Sequence, residues 1–435
     1  MERVMRGERI GDEAVTGGDG AAESEPGLES EKKELPPGPL SGVRVVDLTQ
    51  VLAGPYCTML LADLGADVVK VESPQGDMMR ANGPFFPEDE ERPFGGYFQS
   101  VNRNKRSIVL DLKTSEGLAQ FRALTKSAAI LVENYSAGVM DRFGLSYESL
   151  AAENPALVYA SIRGFGDPRT GESPYVDWPA FDIIAQGMGG FMSMTGEGPG
   201  RPVKAGPGIG DLFPAALVTV GILAALRHAE QTGMGQYVDV AMYDAILSMC
   251  DRIVYQYSYT GTVPAPQGNS HPLFCPYGVF PTSDGHVIVA APSDRHWQRL
   301  CVAIGQAALA EDARFLTNPD RVRNADEVRA MLRAWTGVRT TSQAMSVLGG
   351  RVPAAPVNTV VDIFADPHVQ AREMLVELEQ PGVDRPGVVA GVPVKLTLTP
   401  GSVRHRAPLL GEHTAEILAE LELPAPRVPT RFPKG

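Results

Sequence analysis

Cysteine is scarce in this chain. Four residues in 435, Cys57, Cys250, Cys275 and Cys301, lie far apart. No C-x-x-C pair exists, so neither a zinc ribbon nor a disulfide scaffold is indicated, and a reduced, cytoplasmic setting is expected. Positive charge is in deficit as well. Lys plus Arg number 39 and Asp plus Glu 52, so the net charge is 39 − 52 = −13, which disfavours general nucleic-acid binding and docking on an anionic membrane. No apolar run of about 18 residues is read, so no membrane-crossing helix is expected. The seven histidines have no ligand spacing, and no metal is expected. The first strand is followed by Thr49-Gln50-Val51-Leu52-Ala53-Gly54-Pro55, not by the Gly-x-Gly-x-x-Gly turn of dinucleotide binding. No lysine-bearing phosphate loop, G-x-S-x-G elbow or H-E-x-x-H helix is present. A nicotinamide oxidoreductase on a parallel sheet therefore lacks its fingerprint. It remains a reading that an absorbance assay would test.

Apolar residues make up 43% and charged residues 21%, which allows a sizeable core. The length exceeds one ordinary domain. Residues 1–36 contain no aromatic residue, and five basic residues face ten acidic ones. Such a segment cannot bury enough surface to offset its ordering entropy, so a disordered acidic extension is expected. It has no apolar core of a secretory signal and is too acidic for a mitochondrial presequence. Strand and helix patterns then alternate: Val43–Leu48, Gly54–Gly65, Asp67–Glu72, Ser107–Leu112, Ile130–Val132, Leu157–Ile162, then a long apolar helix from Phe213 to about His228, stopped at Gly233. This predicts an α/β fold with a largely parallel sheet over residues 37–260. Tyr277–Phe280 and His286–Ala290 flank a Gly-containing loop and predict an antiparallel hairpin in a smaller α+β domain, residues 265–365. Residues 366–435 read as a return segment that completes the large domain, with a strand at Val392–Leu396 and a helix at Thr414–Glu420.

Three stretches could carry chemistry. Gly206–Asp211 (GPGIGD) leads into the long helix, where Asp211 is either an N-cap or a carboxylate nucleophile in a Gly-lined pocket. A helix N-terminus would keep that aspartate ionised. Val101–Ser107 (VNRNKRS) concentrates Arg103, Lys105 and Arg106, either as a solvated charge run or as an anion site. Leu131–Gly144 (LVENYSAGVMDRFG) sets Asn134 and Tyr135 at a strand end, where open sheets hold ligands, with Arg142 a turn later.

Taken in order, several segments carry a resemblance: LSGVRVVDL at 40–48, VLAGP at 51–55, LGADVVKVE at 64–72, NRNKRS at 102–107, VENY at 132–135, Gly210-Asp211, GILAAL at 221–226 and APLLGEHT at 407–414. The chain resembles the class III CoA-transferases, the family of formyl-CoA transferase, carnitine CoA-transferase and the α-methylacyl-CoA racemases. The resemblance implies a Rossmann-like large domain built from both chain ends, a small domain, and an interlocked homodimer. It implies coenzyme A or an acyl-CoA as substrate, without a prosthetic group, and a carboxylic acid as partner substrate. Asp211 falls on the family's catalytic aspartate. Leu52 and Ala53 match the turn near the thioester, with Leu52 where formyl-CoA transferase has a glutamine. Lys113, Asn134, Tyr135 and Arg142 match positions that hold CoA, and Ser73 replaces a CoA-binding arginine. The segment near Gly268-Asn269-Ser270-His271 lacks the glycine run that closes the site in formyl-CoA transferase. Racemases of the family place a histidine where this chain has Phe181, and phenylalanine cannot shuttle a proton, so transfer is favoured over racemisation. Arg103 resembles an arginine of members that use dicarboxylates and is expected to grip the distal carboxylate of a C4–C6 acid, with succinyl-CoA as donor. A non-catalytic CoA-binding protein is the alternative from another class.

Overall fold

The computed structural model describes residues 36–422. The expected disordered extension over 1–36 lies outside them, apart from Pro36, as does the end of the return segment, 423–435.

Six parallel strands form the main sheet: β1 (Arg44–Leu48), β2 (Asp67–Glu72), β3 (Lys105–Val109), β4 (Ile130–Glu133), β5 (Val158–Arg163) and β6 (Tyr237–Ala241), in the order β3-β2-β1-β4-β5-β6. The inner strands are buried on both faces, which is why adjacent apolar residues such as Val45-Val46, Val68-Val69 and Ile130-Leu131 replace a strict polar–apolar alternation. Val45, Val68, Ile130 and Val132 pack with Cys57 and Leu61 of α1 (Ala53–Asp63) and with Val218 and Ile222 of the long helix Ile209–Thr232. Their sequence neighbours Val46, Val69 and Leu131 face the other way, onto Phe121 and Leu124 of α3 (Ser115–Lys126; α2 is Gly96–Asn102) and Ile417 of the terminal helix Thr414–Glu422. This is the two-residue side-chain period of a strand, used twice.

The long helix corrects one expectation. Ile209–Thr232 is long and apolar enough by composition to cross a membrane, so an apolar run does exist. Here it is an element of the core: Ala215, Val218, Ile222, Ala225 and Ala229 are buried against the sheet and α1. It ends as expected at Gly233, whose φ of +75° closes the helix in a conformation that glycine adopts without cost.

A separate core lies under a three-stranded antiparallel sheet of β7 (Tyr277–Pro281), β8 (His286–Ala290) and β9 (Ala354–Pro356). Trp297, Phe315, Val328, Leu332 and Leu348 fill it. The fully buried Arg321 crosses it to reach the carbonyls of Cys275 and Phe315 and the carboxylate of Asp294. The expected strand at Val392–Leu396 does not form. Pro393 removes a ladder donor, and the preceding hairpin of β10 (Leu375–Leu378) and β11 (Gly387–Ala390) ends before it. The stretch runs irregularly, with Val394 and Leu396 exposed. Beyond it the chain is tied back to β3. Asn104 accepts from the amides of Arg404 and His405, Ser107 Oγ accepts from the Gly411 amide, and the Ser107 backbone exchanges hydrogen bonds with His413.

Candidate active site

The strand order reverses between β1 and β4, and ligands of open α/β sheets bind in that crevice beyond the carboxyl ends of the strands. The turn 49–53 leaves β1 there, and Asn134 and Tyr135 leave β4 beside it. Asn134 Oδ1 accepts from the Gln50 amide at 2.9 Å, its Nδ2 donates to the Gln50 carbonyl at 2.8 Å, and the Tyr135 hydroxyl accepts from Gln50 Nε2 at 3.3 Å. Asn134 is thus spent on holding the turn. Leu52 is the N-cap of α1 and supplies no side-chain cap, so the amides of Ala53 and Gly54 have no intrahelical partner, Pro55 has no N–H, and the Tyr56 amide is the first to bond, to the Leu52 carbonyl.

Asp211 reaches the same place from the long helix. The N-cap of that helix is Gly208, and Asp211 stands in its first turn. The N-cap alternative for Asp211 is therefore excluded, and among the described residues its carboxylate accepts no hydrogen bond. Two glycines allow the convergence. A Cβ on Gly208 would lie 3.0 Å from Leu52 Cδ2 and 3.8 Å from Asp211 Oδ2, and one on Gly210 would lie 2.4 Å from the Asp182 carbonyl oxygen. Asp182, in the helix Asp182–Met188, is fully engaged by contrast. Its Oδ1 accepts from the Gly210 amide at 2.7 Å, and both its oxygens accept from Gln186 Nε2. Gln186 is fully buried and accepts in turn from the Ala205 amide.

The electrostatics reverse an expectation. Burial first, and the charge of Asp182 second, push the Asp211 carboxyl up to about 7. A first-turn helix dipole contributes only about 0.3–1 kcal/mol, and each pKa unit corresponds to about 1.4 kcal/mol, so desolvation outweighs it. Tyr97, on α2, stands in the same field. Its phenol is pushed up to about 12 by burial and by the charges of Asp211, Asp77 and Asp182. Sequence reasoning missed Tyr97 and Asp182, since an aromatic on a short helix and a lone aspartate at a helix start both read as ordinary structure.

Lys113 and Arg142 lie on the chain beyond β3 and β4, both exposed and without a carboxylate partner among the described residues. Ser73, just past β2, is exposed too and accepts from the Gln75 amide. The other cations behave differently. Arg103 is 3% exposed; its Nε and Nη2 hold both oxygens of Asp63 at 3.1 and 2.7 Å, and its Nη1 reaches the Ala390 carbonyl at 2.7 Å. Lys105 is buried on Asp47, the Pro55 carbonyl and Asn102. Arg106 pairs with Asp67, Glu416 and Glu420. The expectation that Arg103 grips a substrate carboxylate is therefore corrected: that guanidinium closes the sheet edge onto α1 and β11. The segment is not a solvated charge run either, because partners from distant parts of the chain bury it.

Among the described residues no group of three potential metal ligands occurs. Phe181 caps the Asp182 helix and is 63% exposed, so no proton-transfer partner stands at that position.

The model of CoA-transferase family III matches residues 40–414. The chain belongs to that family. As a family III CoA-transferase it is 54% identical over 383 residues to the succinyl-CoA:mesaconate CoA-transferase of Haloarcula hispanica, covering 88% of this chain and 96% of that one. It is 44% identical over 389 residues to the succinate–glutarate CoA-transferase of Agrobacterium fabrum, with the same coverage of 88% and 96%. The crystal structure of a CaiB/BaiF family protein from Brucella suis superposes with a TM-score of 0.79 at 38% identity, over 88% of this chain and all of that one. The CoA-transferase therefore uses an acyl-CoA and a carboxylic acid, and its mixed parallel and antiparallel sheets are those of the family.

Proposed function

We propose that the enzyme moves CoA from succinyl-CoA to a dicarboxylic acid, with C5 acids of the mesaconate or glutarate type as the first acceptors to test, and that Asp211 is the nucleophile. The observation that carries the reading is a partly buried carboxylate, free of hydrogen bonds among the described residues, on a glycine turn that packs against Leu52 at the start of α1. Relatives at 54% and 44% identity that carry succinyl-CoA or succinate in their names favour the donor.

The chemistry follows from that placement. Ionised Asp211 attacks the thioester carbonyl, forming a mixed anhydride and releasing CoA thiolate. The thiolate attacks the aspartyl carbonyl, leaving an aspartyl-CoA thioester and free succinate. The acceptor carboxylate attacks this thioester, giving a second anhydride and free CoA thiolate; the thiolate then attacks the acceptor's acyl carbonyl, giving the new acyl-CoA and releasing the Asp211 carboxylate. Acyl energy is conserved throughout, so no nucleotide is consumed. The amides at the start of α1 stabilise the tetrahedral oxyanions, and the lack of a polar side chain at Leu52 leaves that task to the backbone. Burial first, and the charge of Asp182 second, hold the Asp211 carboxyl up to about 7, so the attacking carboxylate form is populated from neutral pH upward. Lys113, Tyr135 and Arg142 are the CoA-side contacts in this reading. Asp211→Ala should abolish exchange while CoA binding persists, and hydroxylamine should trap wild-type enzyme as an aspartyl hydroxamate at that position. Turnover by Asp211→Ala would refute the anhydride route.

We also read the chain as a homodimer with a large domain over 37–260 completed by 366–422 and a small domain over 265–365. Trp178 and Ile183 are exposed around an apolar hollow lined also by Ile184, Met188 and Met192, a surface that a second copy would cover. Light scattering on the purified chain tests this. Four free, buried thiols fit a reducing, cytoplasmic setting.

A further inference from the structure

The turn that carries Leu52 and Ala53 is strained. Four non-glycine residues among those described have positive φ, namely Val51, Arg92, Asn104 and Glu373, and Val51, at φ +70°, is the β-branched one. Valine avoids this region because its branched Cβ crowds the backbone. Such a conformation persists only where its surroundings over-determine it.

Here they do. The Thr49 amide donates to Asp47 Oδ1 at 3.0 Å, and the Thr49 carbonyl accepts from Lys70 Nζ at 2.9 Å. Both backbone polar groups of Gln50 are held by Asn134. Beyond the strained residue, the Pro55 carbonyl accepts from Lys105 Nζ at 3.0 Å. Thr49 packs so closely on α1 that a Cβ on Gly54 would meet its side chain at 2.3 Å. Lys70 is the unusual member. It is fully buried on β2, its ammonium pairs with Asp77 Oδ2 at 3.0 Å, and Asp77 is itself buried. A lysine is costly to bury, and this one sends a charge-assisted donor onto the carbonyl two residues before Val51.

We propose that Lys70 is a positioning residue for CoA transfer, holding Val51 left-handed and so aiming the first amides of α1 at the carbonyl that Asp211 attacks. This rests on the reading of Asp211 given above. Lys70 touches no substrate; it acts through the turn. Removing it lets Val51 relax out of the left-handed region and swings the oxyanion donors away, while the CoA contacts at Lys113 and Arg142 stay.

The test uses the full chain, with succinyl-CoA and mesaconate as substrates. Lys70→Met should lower kcat about tenfold or more while KM for succinyl-CoA stays within about threefold, the pattern of a lost transition-state interaction. Adding Val51→Gly to Lys70→Met should recover most of the lost kcat, because glycine holds φ +70° unaided. A merely structural lysine would give no such rescue. If Lys70→Met does not fold, Lys70→Met/Asp77→Asn removes both buried charges and is read the same way. A folded Lys70 variant with unchanged kcat, a loss that Val51→Gly does not repair, or a crystal structure of the variant with Val51 still left-handed would overturn the proposal. Absence of exchange by the wild-type enzyme would instead refute the functional reading, and the crystal structure would still decide whether Lys70 holds Val51.

Discussion

Asp211→Asn should make the protein more stable at pH 8 and inactive. The carboxyl is pushed from 3.8 up to about 7. An acid whose folded pKa is raised leaves the native state binding more protons than the unfolded chain, so stability is lost as pH rises from about 4 to 7 and the full penalty remains above that. Three units at about 1.36 kcal/mol each set a ceiling of about 4 kcal/mol. The carboxylate is partly exposed, and solvent screening brings the expected gain down to about 2 kcal/mol. Asparagine matches the shape and removes the charge facing Asp182. Urea unfolding of both proteins, followed by circular dichroism, reads the difference. The gain should fall at pH 5 to about two-fifths of its pH 8 value, since the unfolded aspartate is by then ionised while the native one is not. No gain at pH 8, or the same gain at both pH values, would refute the claim that burial and Asp182 strain this carboxylate.

Further outcomes follow from the same geometry. Activity of the wild-type enzyme, as kcat/KM for the acyl-CoA, should rise with pH through about 7 and level off above it, since in the proposed route only ionised Asp211 attacks; a flat profile from pH 6 to 8 would contradict this. Gly210→Ala should cost at least about tenfold in kcat, because its Cβ would meet the Asp182 carbonyl at 2.4 Å and displace both carboxylates; steady-state rates test it. Arg103→Met should destabilise by about 3–5 kcal/mol in urea titrations, since it strands the buried Asp63 charge. The acceptor KM of the folded fraction should stay unchanged, and a selective rise would return Arg103 to the substrate site.

The sequence-derived readings succeed and fail for physical reasons. β1, β2 and β4 were legible because parallel strands buried on both faces carry adjacent β-branched and aliphatic residues, such as Val45-Val46, Val68-Val69 and Ile130–Val132. The Thr282–Gly285 hairpin and the Gly233 stop were legible because turn chemistry is local. Val392–Leu396 looked like a strand by composition, yet Pro393 cannot donate to a ladder and the stretch pairs with no strand. Arg103, Lys105 and Arg106 looked available because their partners Asp63, Asp47 and Glu420 lie 40, 58 and 314 residues away.

By itself, then, the sequence determined the alternating strand–helix order as far as Gly233, the family and the identity of the candidate nucleophile, because periodicity, turn residues and an ordered set of motifs are all written along the chain. Tertiary structure alone decided the state of that nucleophile. Whether an aspartate in a helix's first turn is ionised depends on what buries it, and Asp182 comes from a separate helix. It also decided which cations are free to meet a substrate, and it revealed a valine held left-handed by a buried lysine. Each of these is a contact between distant segments, and such contacts leave no local trace in composition or spacing.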